Sequence, residues 1–172
     1  MTVEINGKAK NRAAAASKLC RIGEGGMEAE KSLKTADFVF AIGIDPGVNT
    51  GLAVWDMKAR DLLKVCSISI VEAMDEIDTI RRSAEIIVRF EDARLRTWFG
   101  SKGKESLQGA GSIKRDCQIW ESWLLSRGIP YKAVKPAKGA TKWDAGYFRK
   151  VTGWSQRTNE HARDAALLVW GK

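Results

Sequence analysis

Histidine is almost missing from this chain: His161 is the only one in 172 residues. Cysteine is scarce as well, and Cys20, Cys66 and Cys117 lie far apart. A structural zinc site takes about four Cys or His ligands at short spacings, which this chain does not supply. The odd, scattered thiols suit a reducing cytosol better than a disulfide framework. A Ser-His-Asp hydrolase would have to run through His161 alone. No stretch approaches the ~18 apolar residues that a membrane-spanning helix needs. Near the N-terminus, Ala13 to Ala16 is the one candidate apolar run, well short of a secretory h-region. The expectation is a cytoplasmic protein, from a bacterial or phage-infected cell or an organelle, with no membrane partner.

What is present is an ordinary globular composition, 44% hydrophobic and 29% charged, enough for one domain and an appendage. The formal charge of +8 is unevenly spread. Residues 1–36 carry +3, residues 37–93 carry −5, residues 94–150 carry +9 and residues 151–172 carry +1. A basic surface beside an acidic segment is what a polyanion-binding protein with a metal site would show; a solvated lysine-rich face is the plainer explanation. Trp98, Phe99, Trp120, Trp123, Tyr131, Trp143, Tyr147, Phe148 and Trp154 fall in or beside the basic segment. Exposed ones among them can stack on bases, although several must be core.

Along the chain, residues 1–36 read as a flexible or loosely docked extension, with a short helix over Lys8–Cys20 and a break at Gly23-Glu24-Gly25-Gly26. Residues 37–172 form the main domain. Phe38 to Asp45 is a nearly continuous apolar run ending in a carboxylate, as in a buried central strand. Pro46 to Gly51 makes a tight turn, Leu52 to Trp55 returns, and Leu62 to Ile70 follows, giving an antiparallel three-strand meander. Glu72 to Arg82 has helical spacing. Ile86 to Glu91 is a fourth strand that also ends in a carboxylate. Asp92 to Gly111 reads as a glycine-rich loop, Ser112 to Arg127 as a helix, Tyr131 to Val134 as a fifth strand, and Lys142 to Val151 and Asn159 to Trp170 as helices. The fold class is α/β, a mixed five-stranded sheet in which parallel strands follow the meander, flanked by helices.

Asp45 and Glu91 each end an apolar strand, where an uncompensated carboxylate is costly. His161 and Asp164 lie one helical turn apart on the last helix. Ala162, Ala165 and Ala166 are small enough to let that helix approach the sheet closely. Together these residues would put three carboxylates and an imidazole around one cleft, a set suited to Mg²⁺ or, with imidazole, Mn²⁺. Two such ions ~3.5–4 Å apart can activate a water and stabilise the leaving 3′ oxygen of a phosphodiester. Taken singly, each residue has a plain role: Asp45 as a turn former, Glu91 as a partner of Arg94, Asp164 as a surface residue. All three on the right elements is a more specific pattern.

The segment Gly43-Ile44-Asp45-Pro46-Gly47-Val48-Asn49-Thr50-Gly51 resembles the first active-site motif of RuvC-type Holliday-junction resolvases, in the RNase H-like superfamily. Glu91, closing Val88-Arg89-Phe90-Glu91, is similar to that family's second acidic position. Glu160-His161-Ala162-Arg163-Asp164-Ala165-Ala166 resembles its closing D/H-x-x-D-A helix. The likeness covers roughly residues 38–170. His161 departs from the aspartate usual in bacterial RuvC and is similar to the histidine of RuvC-like domains in CRISPR effector nucleases. It would either ligate a metal or act on the attacking water.

The resemblance implies a homodimeric, Mg²⁺-dependent endonuclease that nicks two opposed strands of a four-way junction. Lys102, Lys104, Lys114, Arg115, Lys132, Lys135, Lys138 and Lys142 would contact phosphates. The loop around 100–111 would sit at the branch point, with Trp98 and Phe99 as stacking or packing residues. Ile119, Trp120 and Trp123 would belong either to a dimer interface or to the core. Three rivals compete with this reading. One is an ATP-using phosphotransferase, which needs a second domain and a second phosphate turn. Another is a non-catalytic DNA-binding protein of the same fold. The third is a nuclease of the same chemistry acting on RNA–DNA hybrids or other branched DNA.

Overall fold

A computed structural model describes residues 38–96, 104–136 and 143–172, all within the unit Asp37–Lys172. The expected Lys8–Cys20 helix lies outside these residues, as do Trp98, Phe99, Lys102, Lys138 and Lys142.

The chain runs β1 (Phe40–Asp45), β2 (Thr50–Asp56), β3 (Asp61–Ile68), α1 (Ile70–Arg81), β4 (Ile86–Glu91), α2 (Lys104–Arg127), β5 (Tyr131–Val134), α3 (Ala145–Thr152) and α4 (Glu160–Val169). A single 3-10 turn, Ala93–Leu95, follows β4. The strands form one sheet in the order β3-β2-β1-β4-β5. The first three are antiparallel neighbours, and β4 and β5 are added in parallel. This is the mixed α/β sheet that the sequence pattern implies, in the RNase H-like arrangement that the resemblance implies.

β1 sits in the middle because its side chains are apolar on both faces: Ala41, Ile42, Gly43 and Ile44 are all buried. Alternation then assigns two cores. Ile42, Ile44, Leu52, Val88 and Phe90 pack on one face against Ala73 and Ile77 of α1 and Cys117, Trp120 and Leu124 of α2. Ala41, Ala53, Trp55, Leu62 and Val65 pack on the other against Phe148 of α3 and Ala162, Ala165, Ala166 and Val169 of α4. A bulge opposite Val54/Trp55 gives β3 one extra residue, Leu63, which is left exposed while Leu62 and Val65 both reach the α4 face.

Helix ends follow local chemistry. Ser69 caps α1 in a capping box: its hydroxyl accepts from Glu72 N–H, and the Glu72 carboxylate accepts from Ser69 N–H at 2.9 Å. That box starts the helix at Ile70 rather than at the expected Glu72, and it ends β3 at Ile68 rather than Ile70. Asp144 caps α3, which starts at Ala145 rather than the expected Lys142. Asn159 caps α4.

The largest departure is α2. It begins at Lys104, where a loop was expected to run to Gly111. Glycine within a helix costs only ~1 kcal/mol relative to alanine, and the docked half, buried at Asp116, Cys117, Trp120 and Leu124, sustains the helix beyond it. Trp120 is fully buried in the core, and Trp123 packs edge-on to it with centroids 5.7 Å apart. Trp120 is therefore a core residue rather than an interface residue, while Ile119 is 41% exposed. Among the described residues, no helix is long and apolar enough to cross a membrane.

Candidate active site

Asp45 and Glu91 owe their proximity to the parallel ladder. Ile44 pairs with Phe90, so the next residue on each strand, Asp45 or Glu91, stands beside the other where the pairing ends. Because Ile44 and Phe90 point into the α1–α2 core, alternation turns both carboxylates to the opposite face, where α4 packs. The carboxyl ends of parallel strands are where open α/β sheets form their ligand clefts.

α4 comes close because neither surface has side chains in the way. A Cβ on Gly43 would overlap the carbonyl oxygen of Ala165, and one on Gly51 would overlap that of His161. Ala162, Ala165 and Ala166 supply the small surface from the helix side. Gly43 and Gly51 thus seat the helix that carries His161 and Asp164.

The result is direct contact between the first and last motifs. His161 Nδ1 lies 2.8 Å from Asp45 Oδ2, across 116 positions of sequence. An ionised carboxylate only accepts, so Nδ1 carries the proton in the neutral imidazole and Nε2 keeps its lone pair. The His161 side chain is 48% exposed and that of Asp45 16% exposed. The dyad therefore lies at the surface with Asp45 as its inner member. Asp164 follows one turn later and is partly buried.

The four residues share one face, but they do not close into a cage. Among the described residues, no three His, Cys, Asp or Glu side chains converge closely enough to hold one ion. The structure joins Asp45 to His161, with Glu91 and Asp164 on the flanks.

The expected alternative partnership of Glu91 with Arg94 is not what forms. Arg94 instead grips the next residue, Asp92, through Nε–Oδ1 at 2.8 Å and Nη2–Oδ2 at 2.7 Å, and it reaches Glu121 of α2 through Nη1 at 2.7 Å. Tyr131 of β5 donates to the other Glu121 oxygen at 3.1 Å. Burial alone would raise the Asp92 carboxyl, but the Arg94 guanidinium and backbone N–H bonded to it hold it below the usual carboxylate range. Burial, with Glu121 beside it, pushes the Tyr131 hydroxyl up to about 12. This clamp ties the end of β4 to α2 and β5 immediately after Glu91.

Of the expected phosphate contacts, Lys132 and Lys135 are exposed, Lys114 is partly exposed, and Arg115 is exposed and lies 3.4 Å from Asp116. Lys104 opens α2. Lys102, Lys138 and Lys142 fall outside the described residues. Of the aromatic set, Trp120 and Phe148 are buried, and Trp143 stacks edge-on with Tyr147 and Trp170. Tyr147 is half exposed.

One residue of the α4 face was not singled out from sequence. Arg89 stands two positions before Glu91, and its Nε is buried without a hydrogen-bond partner among the described residues. Burial lowers its guanidinium below the ordinary value, though arginine stays charged at neutral pH. The signal was a lone cation inside the apolar strand Ile86-Ile87-Val88-Arg89-Phe90. No protein-family model matches the chain, and no curated protein resembles it at a significant level.

Proposed function

We propose that this protein is a metal-dependent, structure-specific DNA endonuclease of the RuvC type, acting as a homodimer to resolve four-way junctions by hydrolysing one phosphodiester in each of two opposed strands. The observation that carries this reading is the 2.8 Å hydrogen bond between His161 and Asp45. It unites the G-I-D-P-G turn and the H-x-x-D-A helix, the two most specific parts of the resemblance, at the carboxyl ends of parallel strands.

The donor set, carboxylates with one imidazole, fits a hard divalent cation. Asp45, Glu91, Asp164 and His161 would hold Mg²⁺ or Mn²⁺, and the cation, when bound, supplies an activated water and charge neutralisation at the leaving oxygen. Asp45 fixes the imidazole tautomer and orientation, as a carboxylate does for a ligating or basic histidine. Nε2 of this half-exposed ring would then donate its lone pair to the cation or take a proton from the attacking water. Lys114, Arg115, Lys132 and Lys135 would hold the flanking backbone in register without reading sequence.

The test is a gel assay of labelled four-way, three-way, flap and RNA–DNA hybrid substrates with Mg²⁺ or Mn²⁺. The expected result is paired nicking of the four-way junction. Asp45→Asn, Glu91→Gln and Asp164→Asn should each lower the rate by about a thousandfold or more, since several kcal/mol of charge stabilisation are lost, while junction binding stays within a few fold. His161→Asp should outperform His161→Ala if the imidazole is a ligand. Preference for a hybrid or flap would reassign the substrate, and full activity in the carboxylate variants would end the nuclease reading.

A further inference from the structure

We infer that Arg163 is a positioning residue: its guanidinium braces the first turn of α4 and so holds His161 on Asp45. This role goes beyond the nuclease reading and holds whatever substrate the site takes. His161 is the second residue of α4, and both it and Glu160 before it are exposed. First turns are where helices fray, because their N–H groups have no partner within the helix. A frayed first turn would carry the imidazole away from the Asp45 carboxylate, now 2.8 Å from it. Residues 153–159, which lead into α4, carry no helix or strand of their own to hold that turn in place.

The hold comes from Arg163, which reaches back along the helix. Its Nη1 donates to the Thr158 carbonyl at 3.1 Å and to the Thr158 hydroxyl at 3.3 Å, and its Nε donates to the Trp143 carbonyl at 2.7 Å. Thr158 immediately precedes Asn159, whose Oδ1 caps α4 by accepting from Ala162 N–H at 2.9 Å. Trp143 in turn precedes Asp144, the cap of α3. One side chain thus fastens the approach to both helices onto a single turn of α4. The planar guanidinium aims at two carbonyls at once, which the point charge of an ammonium does less well. A cation near a helix N-terminus works against the helix dipole. Two carbonyl dipoles and a hydroxyl offset that cost, so the charge is comfortable only while the loop stays where it is. Arg163 is turned about 200° round the helix from His161. It therefore acts from the far flank and orients the ring without taking part in the chemistry.

The experiment uses the full chain and its single histidine. Arg163→Gln and Arg163→Lys are compared with wild type. Asp56→Ala is the stability control: it removes the bonds from Lys58 and Ala59 N–H in the β2–β3 turn, at the opposite end of the sheet from Asp45. Arg163→Gln and Asp56→Ala should each lower the Tm by about 2–6 °C. In alkaline buffer, where the imidazole is neutral, proton–nitrogen correlation of the ring reads its tautomer. Wild type should carry the proton on Nδ1, the partner of Asp45, and Arg163→Gln should move it toward Nε2. Amide exchange at Ala162 should become about tenfold faster in Arg163→Gln and about threefold faster in Arg163→Lys. Asp56→Ala should change neither readout. On a substrate that is cut, Arg163→Gln should lower kcat by about tenfold or more with KM within about twofold.

A wild-type tautomer and wild-type Ala162 exchange in Arg163→Gln would overturn the inference. Equal changes in Asp56→Ala would also overturn it, by tracing them to stability alone. Should Arg163→Gln fail to fold, Arg163→Lys decides: faster exchange at Ala162 supports the brace, and wild-type exchange overturns it. A wild type that cuts no substrate, yet loses the Nδ1–H tautomer on Arg163→Gln, would keep the brace and sink the nuclease reading.

Discussion

Gly51→Ala is the substitution that most sharply connects the fold to the site. The added Cβ would overlap the carbonyl oxygen of His161 and press on the amide of Ala162. Those atoms belong to helix backbone, so no side-chain rotation relieves the overlap and α4 must lift off the sheet. Overpacking in a core costs ~1–3 kcal/mol, and a backbone clash belongs at the upper end, which for a domain of this size lowers the Tm by about 10 °C. Lifting α4 also breaks the 2.8 Å bond from His161 to Asp45, and a displacement of ~1 Å at a reacting group can cost about a hundredfold in rate. Gly47→Ala is the control in the same turn. Its Cβ would find nothing nearer than Asn49 O at 3.8 Å, so stability should stay within ~0.5 kcal/mol. Thermal unfolding followed by circular dichroism and the junction-cleavage assay read the two effects. Because the chain has one histidine, its ring resonances report the dyad without ambiguity. A Gly51→Ala protein with wild-type melting, rate and His161 resonances would refute the close-seated helix.

The clamp behind Glu91 makes two further predictions. Arg94→Ala strands the Asp92 carboxylate, whose side chain is 3% exposed, and should destabilise the domain by about 3–5 kcal/mol in urea unfolding. The Asp92 carboxyl is depressed in the folded state, so its contribution is present above the unfolded value of about 3.9 and is lost as the pH falls through the folded value. Asp92→Asn should therefore be less stable than wild type at neutral pH, with the difference shrinking below about pH 4; a gap that persists unchanged into acid would contradict the ionic clamp.

The legible parts of the fold were those written in local pattern. The apolar run ending at Asp45, the alternation of Ile86 to Glu91 and the small face of Ala162, Ala165 and Ala166 place the sheet, its parallel addition and the closing helix. Ser69 and Glu72 form a readable capping box, and weighing it would have moved the start of α1 to Ile70. The start of α2 was not legible, because Gly109 and Gly111 speak locally for a loop and the compensating burial at Cys117, Trp120 and Leu124 is tertiary. The partner of Arg94 was illegible for the same reason: Glu121 lies 27 residues away, and choosing between Glu91 and Asp92 requires knowing which carboxylate turns inward. At the site, the contact of Asp45 with His161 was foreseeable from the two motifs. The part played by Gly51 as the seat of His161 was not, since it depends on which strand α4 crosses.

The central claim, that these carboxylates and the imidazole gather around a divalent cation, is tested most directly by titrating Mn²⁺ into protein labelled at its single histidine and following the ring resonances by NMR. The account predicts selective broadening of the His161 signals at substoichiometric Mn²⁺, abolished by Asp45→Asn and reversed by excess Mg²⁺. Ring signals that stay sharp until Mn²⁺ broadens the whole spectrum, or that broaden equally in Asp45→Asn, would contradict it.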